Sequence, residues 1–143
     1  MPSASIEFPI LPKTTVFGTI PDALIPGVLQ TRRGPLPVQF ILDTGADFTM
    51  LPHHMADLAG VDLKQAPAGK SLGIEGKGVK TWLGHIEVAI GPYLVPLRCL
   101  FSSNDETPYL LGRADLFSAF SIGFDTRRRK IRLTPRIRLK RKG

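Results

Sequence analysis

Short runs rich in Val, Ile, Leu and Phe recur at intervals of about eight to fifteen residues, each bounded by Gly, Pro or polar clusters. The rhythm predicts an all-β chain, with strands near 4–10, 14–20, 23–30, 36–42, 69–74, 78–90 and 93–100 and a closing pair near 120–125 and 129–134. Leu51-Pro52 followed by HHMADLAG predicts a short helix, with Pro52 near its first position and Gly60 able to close it in the left-handed conformation. RADLFSA, residues 113–119, predicts a second one. Gly91-Pro92 marks a turn between strands, and Gly73, Gly76 and Gly78 predict a mobile hairpin tip.

Composition fits one domain. At 143 residues, 43% hydrophobic and 22% charged, the chain can bury roughly 70% of the surface its unfolded form exposes, so a core is expected without disulfide or metal staples. Cys99 is the only cysteine and has no internal disulfide partner; with only three His beside it, a zinc site is not expected and a reducing compartment is favoured. The N-terminal MPSASIEFPILPK has no basic region followed by an apolar run, and no window approaches 18 apolar residues. A cytoplasmic chain with no membrane partner is the expectation. The initiating Met and the terminal basic segment favour a free-standing chain over a domain cut from a polyprotein.

The net charge of +7 changes the picture only at one end. Residues 127–143, RRRKIRLTPRIRLKRKG, hold ten of the nineteen Lys and Arg and no acid, which leaves nine basic and twelve acidic residues in the body. The basicity therefore belongs to a terminal strand and tail and is not the footprint of a whole nucleic-acid-binding face. Around Pro135, Ile131, Leu133, Ile137 and Leu139 alternate with Lys130, Arg132, Arg136, Arg138 and Lys140, which predicts a strand and then a loose extension. The division follows: residues 1–134 as the domain and 135–143 as a basic C-terminal tail. An edge or interface strand with a basic solvent face explains this pattern. Binding of nucleic acid or an acidic partner through RIRLKRKG is the rival, weakened by the absence of interleaved aromatics.

The sharpest local feature is Ile41-Leu42-Asp43-Thr44-Gly45-Ala46-Asp47-Phe48-Thr49, an apolar strand running directly into an acid, a hydroxyl and a glycine. An Asp there loses solvation, and a Gly two positions later lets backbone amides approach its carboxyl group. On these residues the chain resembles the retropepsin-like aspartic proteases, the family of retroviral proteases and, more distantly, of each lobe of pepsin. ILDTGADFTMLP resembles the family's catalytic loop: Asp43 matches the catalytic acid, Thr44 the hydroxyl that braces two such loops, and Gly45 and Ala46 the tight turn. Asp47 and Thr49 also match. About 65 residues later, Tyr109-Leu110-Leu111-Gly112-Arg113-Ala114-Asp115-Leu116-Phe117 resembles the second signature, and SIGFDTRRRKIRLTP the closing hairpin. The Gly-rich GIEGKG lies where the family carries its substrate-covering flap. The resemblance covers roughly residues 36–134.

The resemblance implies a single-lobe, closed β-barrel of retropepsin type with one or two short helices, and an endopeptidase that needs no cofactor and no metal. The chemistry uses two carboxylates around one water, and only one Asp-Thr-Gly is present. A two-fold homodimer is therefore expected, with the two copies of Asp43 meeting at the axis. Two carboxyl groups so close share one proton, as aspartic proteases exemplify. The ionised member then acts as general base on the water while the protonated one hydrogen-bonds the scissile carbonyl oxygen, and the rate peaks at acidic pH. An extended polypeptide would lie between floor and flap, as if added to a sheet. Ala46, Asp47 and Phe48 on the floor and Gly73, Ile74, Glu75 and Gly76 on the flap are the candidate substrate-binding residues. Glu75 and Lys77 depart from the uniformly small, apolar flap of viral members.

Other constellations are weaker. His53, His54 and Asp57 fall short of four metal ligands, and Gly73 to Gly78 lacks the order of a phosphate loop. Ser102 and Ser103 lack the glycine context of a hydrolase elbow, and Trp82 and the Phe residues are expected in core or interface packing. Two alternatives to an active protease are a catalytically silent peptide-binding or dimerisation module of the same fold, and a basic-tailed nucleic-acid-binding protein.

Overall fold

The two longest strands, each alternating inward apolar and outward polar side chains over part of its length, organise the rest of the chain. The computed structural model describes residues 4–72 and 78–143. Its strands are β1 (Ile6–Pro9), β2 (Leu11–Thr15), β3 (Gly18–Asp22), β4 (Leu24–Thr31), β5 (Gly34–Leu42), β6 (Thr49–Pro52), β7 (Ala68–Leu72), β8 (Gly78–Ile90), β9 (Tyr93–Ser102), β10 (Leu110–Leu111), β11 (Phe120–Asp125), β12 (Lys130–Pro135) and β13 (Lys140–Arg141). One short helix, α1 (Leu116–Ala119), and a 3-10 turn, His53–Met55, complete the described elements. The chain is all-β, as its rhythm predicts.

In β9, Tyr93, Val95, Leu97, Cys99 and Phe101 point inward while Pro96 and Arg98 face water; in β8, Ile86, Val88 and Ile90 do the same opposite them. β8 and β9 pair antiparallel from Thr81↔Ser102 to Ile90↔Tyr93 around the Gly91-Pro92 turn. The main sheet runs β13-β9-β6-β10-β5-β4-β8-β7, and the additional β8–β9 pairing returns the order to its start. Phe40, Phe101, Phe120, Ile25, Leu29 and Leu111 fill the interior. A second sheet, β1-β12-β11, joins the two ends of the chain, Ile6 opposite Leu133 and Phe124 opposite Ile131.

Several sequence expectations are corrected. The single strand expected near 14–20 is a hairpin, β2–β3, whose turn falls at Val16-Phe17 because Gly18 adopts φ +115°. The helix expected from Pro52 to Gly60 is only the 3-10 turn and the bends after it; Leu51 and Pro52 end β6 instead, and Gly60 closes the turns at φ +80°. The helix expected over 113–119 begins at Leu116. The tail is not loose throughout: β13 pairs with β9, Lys140 opposite Leu94, and the Lys142 amide donates to the Pro92 carbonyl at 2.8 Å. Ile137, expected to share a face with Ile131 and Leu133, is half exposed while those two are fully buried. Phe40, Phe101 and Phe120 are core, but Phe17, Phe117 and Phe124 are exposed.

Candidate active site

β5 carries its apolar side chains into the interior and delivers Asp43 at its C-terminal end, immediately after the buried Leu42. Two backbone bonds fix the position. The Asp43 amide donates to the Leu111 carbonyl at 2.9 Å, continuing the parallel pairing of β10 with β5, and the Ala46 amide donates back to the Asp43 carbonyl at 3.2 Å. The side chain is held as well, since the Gly45 amide donates to Asp43 Oδ1 at 2.9 Å. A Cβ on Gly45 would stand 3.3 Å from that oxygen, tighter than ordinary contact. Asp43 is half-buried, and Thr44 and Gly45 beside it are exposed. The loop thus presents one carboxylate, oriented by a peptide N–H, at the surface of the molecule.

The second signature is the back wall of this loop. The Arg113 amide donates to Ala46 O at 2.9 Å and the Ala114 amide to Asp47 O at 2.8 Å. The Arg113 guanidinium donates to the Thr44 carbonyl at 3.0 Å and pairs with the Asp47 carboxylate. Below them the Gly112 amide donates to the hydroxyl of the fully buried Thr49 at 3.3 Å. Residues 43–48 and 110–114, some 65 positions apart in sequence, therefore form one unit.

Phe48 leaves this unit half-buried, with the Arg98 guanidinium 5.5 Å from its ring centroid. Arg98 is held by Asp115, whose carboxylate accepts from the Arg98 amide at 2.6 Å, from Nε at 3.1 Å and from the terminal guanidinium nitrogen at 3.3 Å. Partial burial pushes the Asp115 carboxyl up, but the hydrogen bonds and charge of Arg98, with a smaller contribution from His85, outweigh it and hold the group below its ordinary value. Asp115 sits at φ +68° and ψ −38°, outside the left-handed helical region, and its contacts with Arg98 hold it there.

Of the residues predicted from sequence, Asp43, Thr44, Gly45, Ala46, Asp47 and Phe48 thus lie together on one loop. Gly73, Ile74, Glu75 and Gly76 lie outside the described residues. Arg113 and Arg98 had no assigned role; the only sequence cue was an arginine directly after the Leu-Leu-Gly of the second signature. His53 and His54 both approach Asp105, at 3.3 and 3.2 Å, while Asp57 pairs with Arg32 at 3.0 Å. Among the described residues no three His, Cys, Asp or Glu side chains are disposed to hold a metal.

Residues 29–114, which contain the Asp43 loop and the second signature as far as Ala114, match the family model for aspartyl proteases. The chain belongs to this family. Among solved structures it is similar to a retropepsin-like aspartic protease from Rickettsia conorii, with a TM-score of 0.63, 20% identity and 92% of each chain covered. The fold of this aspartyl protease family member is accordingly retropepsin-like. No curated protein sequence matches the chain significantly. No described helix is long and apolar enough to cross a membrane.

Proposed function

We propose that the chain is an aspartic endopeptidase, active as a two-fold homodimer in which Asp43 of each subunit faces the other across one water. The observation that carries this reading is the Asp43 carboxylate itself, half-buried and oriented by the Gly45 amide inside the family-matched segment. One such carboxylate per chain is half of the required pair, and the exposed Thr44 and Gly45 leave the loop open to a second copy.

In the pair, one proton is shared. The ionised Asp43 takes a proton from the water as its oxygen attacks the scissile carbonyl carbon, and the protonated Asp43 donates to the carbonyl oxygen, which becomes a hydroxyl of the tetrahedral intermediate. Collapse then breaks the C–N bond, the leaving nitrogen taking a proton from the first carboxyl while one hydroxyl of the intermediate returns its proton to the second and its oxygen becomes the carbonyl of the new carboxyl group. Thr44 braces one loop against the other. Ala46, Asp47 and Phe48 form the floor for an extended polypeptide, and Gly73, Ile74, Glu75 and Gly76 are the further candidates for substrate contact that the family resemblance implies.

The test is cleavage of a denatured protein mixture between pH 3 and 7 at high enzyme concentration, comparing the intact chain with Asp43→Asn. Cutting by the intact chain alone, strongest at acidic pH, is the expected result. Equal cutting by both would assign the activity elsewhere, and a dimer that cuts nothing would be a silent peptide-binding module.

A further inference from the structure

Two hairpins of this chain close with the same turn and opposite side chains. In Thr15-Val16-Phe17-Gly18 the Thr15 hydroxyl accepts from the Phe17 amide at 3.1 Å and donates to the Gly18 carbonyl; in Thr31-Arg32-Arg33-Gly34 the Thr31 hydroxyl does the same with Arg33 and Gly34. The glycines adopt φ +115° and +106°. The β4–β5 tip carries Arg32-Arg33, as a water-facing turn allows. The β2–β3 tip carries Val16 and Phe17, 93% and 97% exposed. The turn geometry does not demand apolar residues there.

Nor does packing within the chain. Among the described residues β2 and β3 pair only with each other, and Leu11 and Ile20 on the same ribbon are also exposed. A two-stranded ribbon with uncovered apolar groups is marginal in water, and apolar groups gathered on one projection mark an interaction surface. Pro12 opposite Pro21 removes ladder donors, so the contact is made by side chains and not by strand addition.

We propose that the Leu11–Asp22 hairpin is an arm that docks Val16 and Phe17 on a second copy of this chain. The inference rests on the dimeric reading of Asp43, and the root of the arm selects the occupant. The Leu42 amide donates to the Ala23 carbonyl at 2.8 Å, so the arm leaves the body beside the residue that precedes Asp43. At its other end the Ile10 amide donates to Arg129 O at 2.9 Å. Whatever brings two Asp43 loops together therefore brings two arm roots together. From there a five-residue strand at roughly 3.4 Å per residue carries the tip about 17 Å from its root. In a two-fold dimer each arm makes the same contact, so every side chain counts twice.

The test is sedimentation velocity over a concentration series in an Asp43→Asn background, which prevents self-digestion, comparing the parent with Val16→Ser/Phe17→Ser and with Arg32→Ser/Arg33→Ser at the sister turn. The expected result is a dimer dissociation constant raised at least tenfold by the first pair and unchanged by the second. A constant within twofold of the parent for both pairs overturns the proposal while the dimeric reading stands, and directs the tip to a lipid surface or a different protein. A parent that stays monomeric at every concentration overturns both. Hydrogen exchange on the unsubstituted arm adds a readout independent of variant folding: amides of residues 11–22 are expected to gain protection on dimerisation, and unchanged protection sinks the proposal.

Discussion

A Cβ on Gly112 would lie 2.3 Å from both the carbonyl carbon and the carbonyl oxygen of Phe48. The obstacle is backbone, which cannot rotate aside as a side chain does. This contact is what lets the second signature press against the loop that carries Asp43, since the preceding Leu111 carbonyl receives the Asp43 amide. Gly112→Ala is expected to cost about 3 kcal/mol, read from chemical denaturation, because it overpacks a site with no room to relax. Proteolysis is expected to fall further than stability at temperatures where the variant remains folded. Wild-type stability in Gly112→Ala would show that the two segments part easily.

Arg113 ties the same segments from the solvent side. Its partners, the Thr44 carbonyl and the Asp47 carboxylate, flank the turn that orients Asp43. Arg113 and Asp47 are both substantially exposed, and exposed pairs are worth about 1 kcal/mol or less. Arg113→Met is therefore expected to leave the melting temperature within a few degrees of wild type and to lower kcat/KM at least tenfold. In a double-mutant cycle with Asp47→Asn, the two losses are expected to be less than additive. Additive losses would mean that the two residues act separately.

How far the sequence reveals this arrangement depends on distance along the chain. β8 and β11 begin and end where their apolar runs and the flanking glycine and polar residues predict, 78–90 and 120–125. β6 and β10 escape because four and two residues carry too little periodicity; β10 exists only because β5 and β6 lie on either side of it. The stretch 14–20 is β-prone throughout, and only the conformation of Gly18 divides it. Asp43 to Phe48 are legible because they are contiguous. Arg113 is not, because its pairing with Asp47 is set by the fold that brings the two segments together and by no spacing in the sequence.

Asp115 adds a contribution to stability that acid removes. Its carboxyl titrates below its ordinary value because Arg98 favours the charged form. A depressed native value means that the unfolded chain binds the proton first as pH falls. The contribution is thus fully present above the unfolded value of about 3.9 and is lost as pH drops through the lower native one. Asn has the size and shape of Asp, so Asp115→Asn removes the charge with little change in bulk. Thermal unfolding should therefore show a variant less stable than wild type by a constant margin from pH 5 to 7, with the margin closing below about pH 4. A gap that widens on acidification would reverse the sign and rule out this bridge as its cause.

Cys99 is fully buried on β9, and burial pushes its thiol up, so the thiolate that reacts with disulfide reagents is scarcely formed at neutral pH. The native chain is expected to be silent to an aromatic disulfide reagent at pH 8 and to release one equivalent on addition of denaturant. Rapid reaction of the native chain would mean that the β6–β9 pairing opens readily around it, since Cys99 lies opposite Thr49.

The final residues distinguish a structural tail from a merely charged one. Leu139 packs against the core, the Arg141 guanidinium lies 5.5 Å from the ring centroid of the buried Tyr93, and the Lys142 amide closes onto Pro92. Removal of residues 137–143 uncovers that edge of β9 and is expected to cost about 2 kcal/mol, a fall in Tm on the order of 5 °C for a domain of this size. The same truncation removes Arg138, Lys140, Arg141 and Lys142, so retention on a polyanion column in low salt is expected to weaken as well. The two effects separate in Leu139→Ser, which retains every cation: its Tm is expected to drop while its salt elution point stays put. If Leu139→Ser melts with the wild type and the truncation differs only in elution, β13 contributes no stability and the segment acts through its charge alone.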